Sequence, residues 1–248
     1  MLEELLILAV DTATPSGGVC LCRGAQVVGS IVSQPNSSHS NTLLRDIEVL
    51  LEAAQIPLHA ISLFAVAAGP GSFTGLRIGM ATIKAFAATL NRPCIGIPTL
   101  HAVARSARAS KATVALLPAG RGELFAQLLS VSADGEVMEL DTPVHLPAVT
   151  ILQKYAGKPD LIWAGPGAQS HREMLREQAL KQGINFDESG TLSRGWRLAQ
   201  PTDNLAAEIA ALARQRYNLD EGQGADSLHA LYVRPSDPEL KERMRDEG

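Results

Sequence analysis

Aromatic side chains are scarce in this 248-residue chain: five Phe, three Tyr and two Trp, 4% of the whole. That leaves no ready stacking platform for single-stranded nucleic acid. Positive charge is not in excess either. Twenty-two Lys and Arg against 26 Asp and Glu give a net charge of −4, the wrong sign for a chain that would hold RNA or DNA alone by neutralising phosphates. Any nucleic-acid role therefore needs a basic partner. Cysteine is limited to Cys20, Cys22 and Cys94, too few for a four-thiolate metal site and an odd number for a disulfide framework, which fits a reducing compartment. Cys20 and Cys22 lie two apart on an expected strand, share a face, and read as small buried hydrophobes. A long apolar run is missing from the start: residues 5–10 follow Glu3 and Glu4 and stop at Asp11, too short for a membrane span or a signal peptide. The expectation is a cytoplasmic protein with no membrane partner.

What is present is 46% hydrophobic and 19% charged residues, a globular balance at a length that suits two lobes. Apolar runs and turn residues predict strands over 5–10, 19–23 and 26–33, a helix over 42–54 with Leu43, Ile47, Leu50 and Leu51 at helical spacing, and a strand over 62–69. A second helix runs from the glycine stretch to about Leu90, and a short strand at 94–97 leads into a third helix. The second half repeats the order: strands over 112–119, 123–132 and 135–140, a helix over 147–155, a strand over 160–165 and a helix over 170–180. A last helix over 203–217 could pack on either half. The chain thus divides into a first lobe, 1–108, and a second, 109–248, ending in a charged tail. This α/β pattern, a duplicated βββαβα unit in two lobes, resembles in outline the actin-like, Hsp70-like (ASKHA) superfold, in which nucleotide sits between the lobes.

The most distinctive stretch is AAGPGSFTGLRIGM, residues 67–80. It lacks the lysine of a P-loop, and Gly69, Gly71 and Gly75 do not have dinucleotide-fold spacing. Gly75 and Gly79 lie four apart on the expected helix, followed by Ala81, Ala85 and Ala88. Small residues at that spacing admit a close neighbour. Each glycine costs a helix about 0.8–1 kcal/mol relative to alanine, so a compensating contact is required. Two readings stay open: a subunit interface, or the central helix of its own lobe. Ser72 is the expected N-cap.

Other candidates are weaker. Asp11 and Thr12 end the first strand, where a carboxylate either holds a metal-bound water beside a phosphate or simply builds the turn. With Gly69, Gly71 and Ser72, and with Gly165 and Gly167 in the second half, they are the candidates for the cleft that the superfold resemblance implies, a degenerate nucleotide site by the family resemblance given next. His39 opens the first long helix with no second ligand one turn away, so it caps the helix or touches a partner and builds no metal site. There is no G-x-S-x-G, no H-E-x-x-H and no Cys in a nucleophile context. Glu123, close to Arg121 in sequence, reads as an ordinary surface charge. No catalytic residue is assigned.

The segments LAVDTAT (8–14), HSNTLLRDIEVLL (39–51), AAGPGSFTGLRIGMATIKAFA (67–87), IGIPTLHAVA (95–104), RGELF (121–125) and ALYVRPSD (230–237) resemble, in order and spacing, the TsaB (YeaZ) family of bacterial tRNA threonylcarbamoyladenosine biosynthesis proteins. The resemblance implies a non-catalytic subunit that dimerises with the catalytic paralogue TsaD and joins the ATPase TsaE in a ternary complex. That complex forms threonylcarbamoyladenosine beside the anticodon of tRNAs reading ANN codons. It also implies a homodimer when alone, tRNA contact only through the complex, and no cofactor on this chain, with ATP and a divalent metal on the partner subunits. The implied partner surface comprises His39, Leu43, Leu44, Ile47, Leu51, Phe73, Gly75, Leu76, Gly79, Met80 and Ile83, with the glycines closest to the partner. Gly79→Leu should then abolish pairing and leave the lobes folded. Where the family has an Asp-Ala-Arg-Arg-Gly-Glu loop, residues 118–123 here read Pro-Ala-Gly-Arg-Gly-Glu, which weakens the case for metal or nucleotide in the second lobe. The alternative is an ATPase or phosphotransferase of the same superfold, working through Asp11 and magnesium.

Overall fold

The computed structural model describes residues 5–15, 17–33, 39–189, 194–219 and 224–233, with the side chains of 39–41 excepted. The charged tail beyond 233 lies outside them.

Strand β1 (Leu6–Asp11) is buried along its whole length, as its unbroken apolar run requires of a central strand. It pairs antiparallel with β2 (Gly18–Arg23), which pairs antiparallel with β3 (Gln26–Val32) at the edge. Helix α1 (His39–Ala54) then crosses to β4 (Leu63–Gly69), parallel to β1, and α2 (Phe73–Leu90) to β5 (Cys94–Pro98), parallel to β4. The first sheet therefore runs β3-β2-β1-β4-β5. After α3 (Thr99–Ser106) the order recurs: β6 (Ser110–Gly120), β7 (Glu123–Val131) and β8 (Val137–Glu139) form an antiparallel meander, with β9 (Val144–Pro147) also on β7. Helix α4 (Ala148–Tyr155) leads to β10 (Leu161–Ala164), parallel to β6. Helices α5 (Pro166–Ser170) and α6 (Arg172–Lys181) precede the short strands β11 (Phe186–Asp187) and β12 (Trp196–Leu198). The second sheet contains the path β8-β7-β6-β10-β12, the same sequence of connections as the first. This is the duplicated βββαβα arrangement of the actin-like fold.

The helix expected over 170–180 is α6, Arg172–Lys181; a short helix not expected from the sequence, α5, precedes it and closes at His171 with φ −115°. Helix α7 (Leu205–Asn218), left open between the halves, lies on β1, β2, β4 and β5 and against α3.

The cores follow from these layers. Leu43, Ile47, Leu50 and Leu51 of α1 join Leu8, Val10, Phe64 and Val66 on one face of the first sheet, each buried side chain contributing about 1.5–3 kcal/mol. Helices α3 and α7 fill the space between the two sheets, where Ile209 and Val103 share a cluster with Ala9, Leu117 and Leu129. Trp163 and Trp196 stack edge-to-face at 5.0 Å under α4 and α6. Cys20 and Cys22 are buried on one face of β2 with their sulfurs 3.6 Å apart. Among the described residues no helix is long and apolar enough to cross a membrane.

His101 makes the inter-sheet layer pH-sensitive. His101 on α3 is buried, and burial pulls its pKa below the usual 6.5; Arg216 acts the same way, whereas the Glu139 carboxylate, 3.0 Å from Nε2, opposes the shift. The fold thus favours the neutral ring. Below pH 6.5 the unfolded chain takes up a proton that the folded chain still refuses, so stability falls with pH down to the folded pKa. Thermal unfolding between pH 7 and 5 is expected to fall less steeply for His101→Gln than for wild type. Equal slopes would contradict this assignment.

Candidate functional site

The turn after β1 is held by its own side chains. Asp11 is fully buried; its Oδ1 accepts from the amides of Ala13 (2.8 Å) and Thr14 (3.3 Å), and its Oδ2 from the Thr14 hydroxyl at 2.5 Å. The carboxylate therefore builds the turn. Thr12 donates its hydroxyl to the carbonyl of Gly75 at 2.7 Å, across 63 residues of sequence. The amide of Ser72 donates to Ala13 O at 2.8 Å, and Ser72 Oγ caps α2 by accepting from the Gly75 amide. Asp11→Ala is expected to cost about 3 kcal/mol in urea unfolding, because it leaves buried donors unsatisfied; Asp11→Asn, which keeps an acceptor, should cost less. A loss below about 1 kcal/mol for the alanine variant would show that water can replace the carboxylate.

The glycines at this turn each seat another part of the same chain. A Cβ on Gly71 would stand 2.5 Å from Ala13 O, and one on Gly69 2.4 Å from Leu231 O. On α2, a Cβ at Gly75 would fall 1.8 Å from Thr12 O, and one at Gly79 2.3 Å from Thr12 Oγ1 and 3.2 Å from Val66. In the second half, Gly165 and Gly167 lie against Leu116 in the same way. Asp11, Thr12, Gly69, Gly71 and Ser72 thus share one tightly packed corner, and Gly165 and Gly167 pack on β6.

The partner surface read from the sequence needs correction. Leu43, Ile47, Leu51, Leu76, Met80 and Ile83 point into the core, and Gly75 and Gly79 face the chain's own β1 turn. Of the residues named, Leu44 is 63% exposed, Phe73 is half-buried, and the side chain of His39 lies outside the described residues. The error has a physical origin: an amphipathic helix turns its apolar stripe toward its own sheet. The outward stripe of α2 is Arg77, Ala81, Ala85 and Ala88. Beside it a groove of about 890 Å³ is lined by Leu44, Arg45, Glu48, Glu52, Pro57 and Phe86.

Two further features were missed. The segment after α7 seats on the start of α2: Leu228 is buried against Gly96, the Leu231 amide donates to Ala68 O at 2.6 Å, and the Tyr232 ring lies 5.8 Å from Phe73, over which Arg77 sits at 3.8 Å. In the second half Glu123 meets His145, Oε2 to Nε2 at 2.8 Å, under Phe125. The antiparallel register that sets Phe125 opposite His145 is invisible in sequence spacing. Among the described residues no three His, Cys, Asp or Glu side chains converge as a metal site.

The family model described as "TsaD: tRNA N6-adenosine threonylcarbamoyltransferase" matches residues 27–188. The Bacillus subtilis (strain 168) "tRNA threonylcarbamoyladenosine biosynthesis protein TsaB" is 26% identical over 176 residues, 70% of this chain and 76% of that protein. The Escherichia coli (strain K12) protein of the same name is 34% identical over 122 residues, 48% of this chain and 52% of that protein. Among solved structures, "YeaZ from Pseudomonas aeruginosa" superposes with a TM-score of 0.73 at 22% identity, covering 92% of this chain and 99% of that one, which establishes the shared fold.

Proposed function

The chain belongs to the family whose model is described as TsaD, tRNA N6-adenosine threonylcarbamoyltransferase, with the TsaB/YeaZ proteins as its named relatives there, and from that membership we propose that it serves threonylcarbamoyladenosine formation on tRNA as a non-catalytic subunit. It acts in the cytoplasm by pairing with a TsaD-type paralogue, and a TsaE-type ATPase joins the pair. Nucleotide, divalent metal and tRNA bind through those partners. Alone, the chain pairs with a second copy of itself.

The observation that carries this reading is the outward face of α1 and α2. The stripe Ala81, Ala85 and Ala88 lets a facing helix approach closely, and the adjacent groove and exposed Leu44 offer apolar area to bury. The state of Asp11 supports the non-catalytic assignment. A phosphotransferase of this fold would direct that carboxylate toward a magnesium ion, whereas here it accepts three hydrogen bonds from its own turn.

Light scattering behind a sizing column tests the proposal on this chain alone and mixed with the paralogue from the same cell. A heterodimer is expected to replace the homodimer, and Leu44→Glu is expected to abolish both. A chain that stays monomeric in both runs would overturn the reading, and micromolar ATP binding lost in Asp11→Asn would transfer the function to the phosphotransferase class.

A further inference from the structure

Cys20 and Cys22 point from one face of β2 into the layer between the sheets, with their sulfurs 3.6 Å apart. A buried cysteine ordinarily behaves as a small, inert hydrophobe. This pair, however, has polar neighbours on the helix that covers it. Asn204, the N-cap of α7, and Glu208 adjoin Cys20, and Arg214 of the same helix adjoins Cys22. Among the described residues the buried Nε of Arg214 has no hydrogen-bond partner. A guanidinium beside a thiol favours the thiolate.

The two thiols are not equivalent. The hydrogen bond from Cys20 holds the Cys22 thiol below its usual pKa, and Arg214 adds to that against the opposing effect of burial; the same bond, together with burial, pushes Cys20 up. Cys22 also keeps 4% exposure beside the exposed Arg23 at the end of β2, whereas Cys20 has none. Cys94 is buried in the cluster on the opposite side of the first sheet, and burial raises its pKa. Two residues of a strand span about 6.6 Å, inside the roughly 4.4–6.8 Å that a disulfide bridges. From 3.6 Å the sulfurs need to close by about 1.5 Å. A span near the long limit makes the bond strained and easily reduced, hence reversible.

We infer that Cys20 and Cys22 form a dithiol site oxidised by hydroperoxides, with Cys22 the attacking thiolate and Cys20 the resolving thiol. The Cys22 sulfur attacks one peroxide oxygen, the O–O bond breaks, and hydroxide leaves, giving a sulfenic acid. The Cys20 sulfur then attacks that of Cys22; the S–O bond breaks, and the departing hydroxide takes the Cys20 proton as water. The pair loses two electrons and the peroxide gains them. The pair lies on the α7 side of the first sheet, so the inference is independent of the pairing proposed for the α1–α2 side.

The test is peptide mass spectrometry of the native full chain after timed exposure to hydrogen peroxide. The tryptic peptide 1–23 holds both thiols, and Cys94 falls in another. Peptide 1–23 is expected to lose two hydrogens at least tenfold faster than Cys94 is oxidised, and dithiothreitol is expected to restore it. In Cys20→Ser, dimedone, a trap for sulfenic acids, should label Cys22; in Cys22→Ser, labelling of Cys20 should be at least tenfold slower. Thermal unfolding should confirm that both variants remain folded, and the wild-type measurement needs neither. Oxidation of peptide 1–23 no faster than that of Cys94, a bond that forms only in urea, or equal labelling of the two single thiols would overturn the inference.

Discussion

Replacement of Gly75 by alanine is expected to destabilise the protein by about 3 kcal/mol or more. Helix propensity alone gives the opposite sign, since alanine inside a helix is favoured over glycine by about 0.8–1 kcal/mol. Packing decides the sign here. The added methyl would sit 1.8 Å from the carbonyl oxygen of Thr12 and 3.0 Å from its carbon, and a strand-end backbone cannot swing aside as a long side chain can. Helix α2 would have to retreat by more than an ångström from the β1 turn. That movement breaks the buried Thr12–Gly75 hydrogen bond and disturbs the contact of Ser72 with Ala13. Urea unfolding measures the loss, and Gly157→Ala is the control, because a Cβ there meets nothing within 4 Å. A Gly75→Ala protein within 1 kcal/mol of wild type would mean that the corner is loose and that the glycine has another purpose.

The same geometry reverses the expectation for Gly79→Leu. Bulk at that position meets Thr12 and Val66 before it could meet any partner, so the variant would fail by unfolding, and lost pairing would carry no information about the interface.

The sequence shows the elements well where one residue type answers to one force. The unbroken apolar run of β1 requires a strand covered on both faces, and Leu43, Ile47, Leu50 and Leu51 specify the inner face of α1. The duplicated order of strands and helices was legible for the same reason. What spacing cannot reveal is the identity of a neighbour distant in sequence. Gly75 and Gly79 announce a close approach, but the approaching group is Thr12, 63 residues earlier than Gly75. A small-residue pattern alone cannot separate that from a partner chain. The seat of Leu228 and Leu231 on Gly96 and Gly69, and the meeting of Glu123 with His145, are likewise products of topology. Helix α5 was not legible because Gly165, Pro166 and Gly167 at its start read as a turn.

The decisive substitution for pairing therefore belongs on the opposite side of α2 from its glycines. Ala85→Arg is expected to leave thermal unfolding nearly unchanged, because the position is exposed and arginine ranks close to alanine in helix propensity. Its effect on pairing should be at least a hundredfold, or about 2.7 kcal/mol, since a closely packed helix interface would have to enclose a long charged side chain without a partner. Ala85→Ser separates bulk from polarity: it keeps the side chain small and should retain most of the affinity. If Ala85→Arg pairs as wild type does, the outward stripe of α2 is not the contact, and the groove beside α1 has to be tested alone through Leu44. If it fails to pair while unfolding normally, the two faces of one helix have separate tasks: the glycine face holds the β1 turn, and the alanine face meets the second protein.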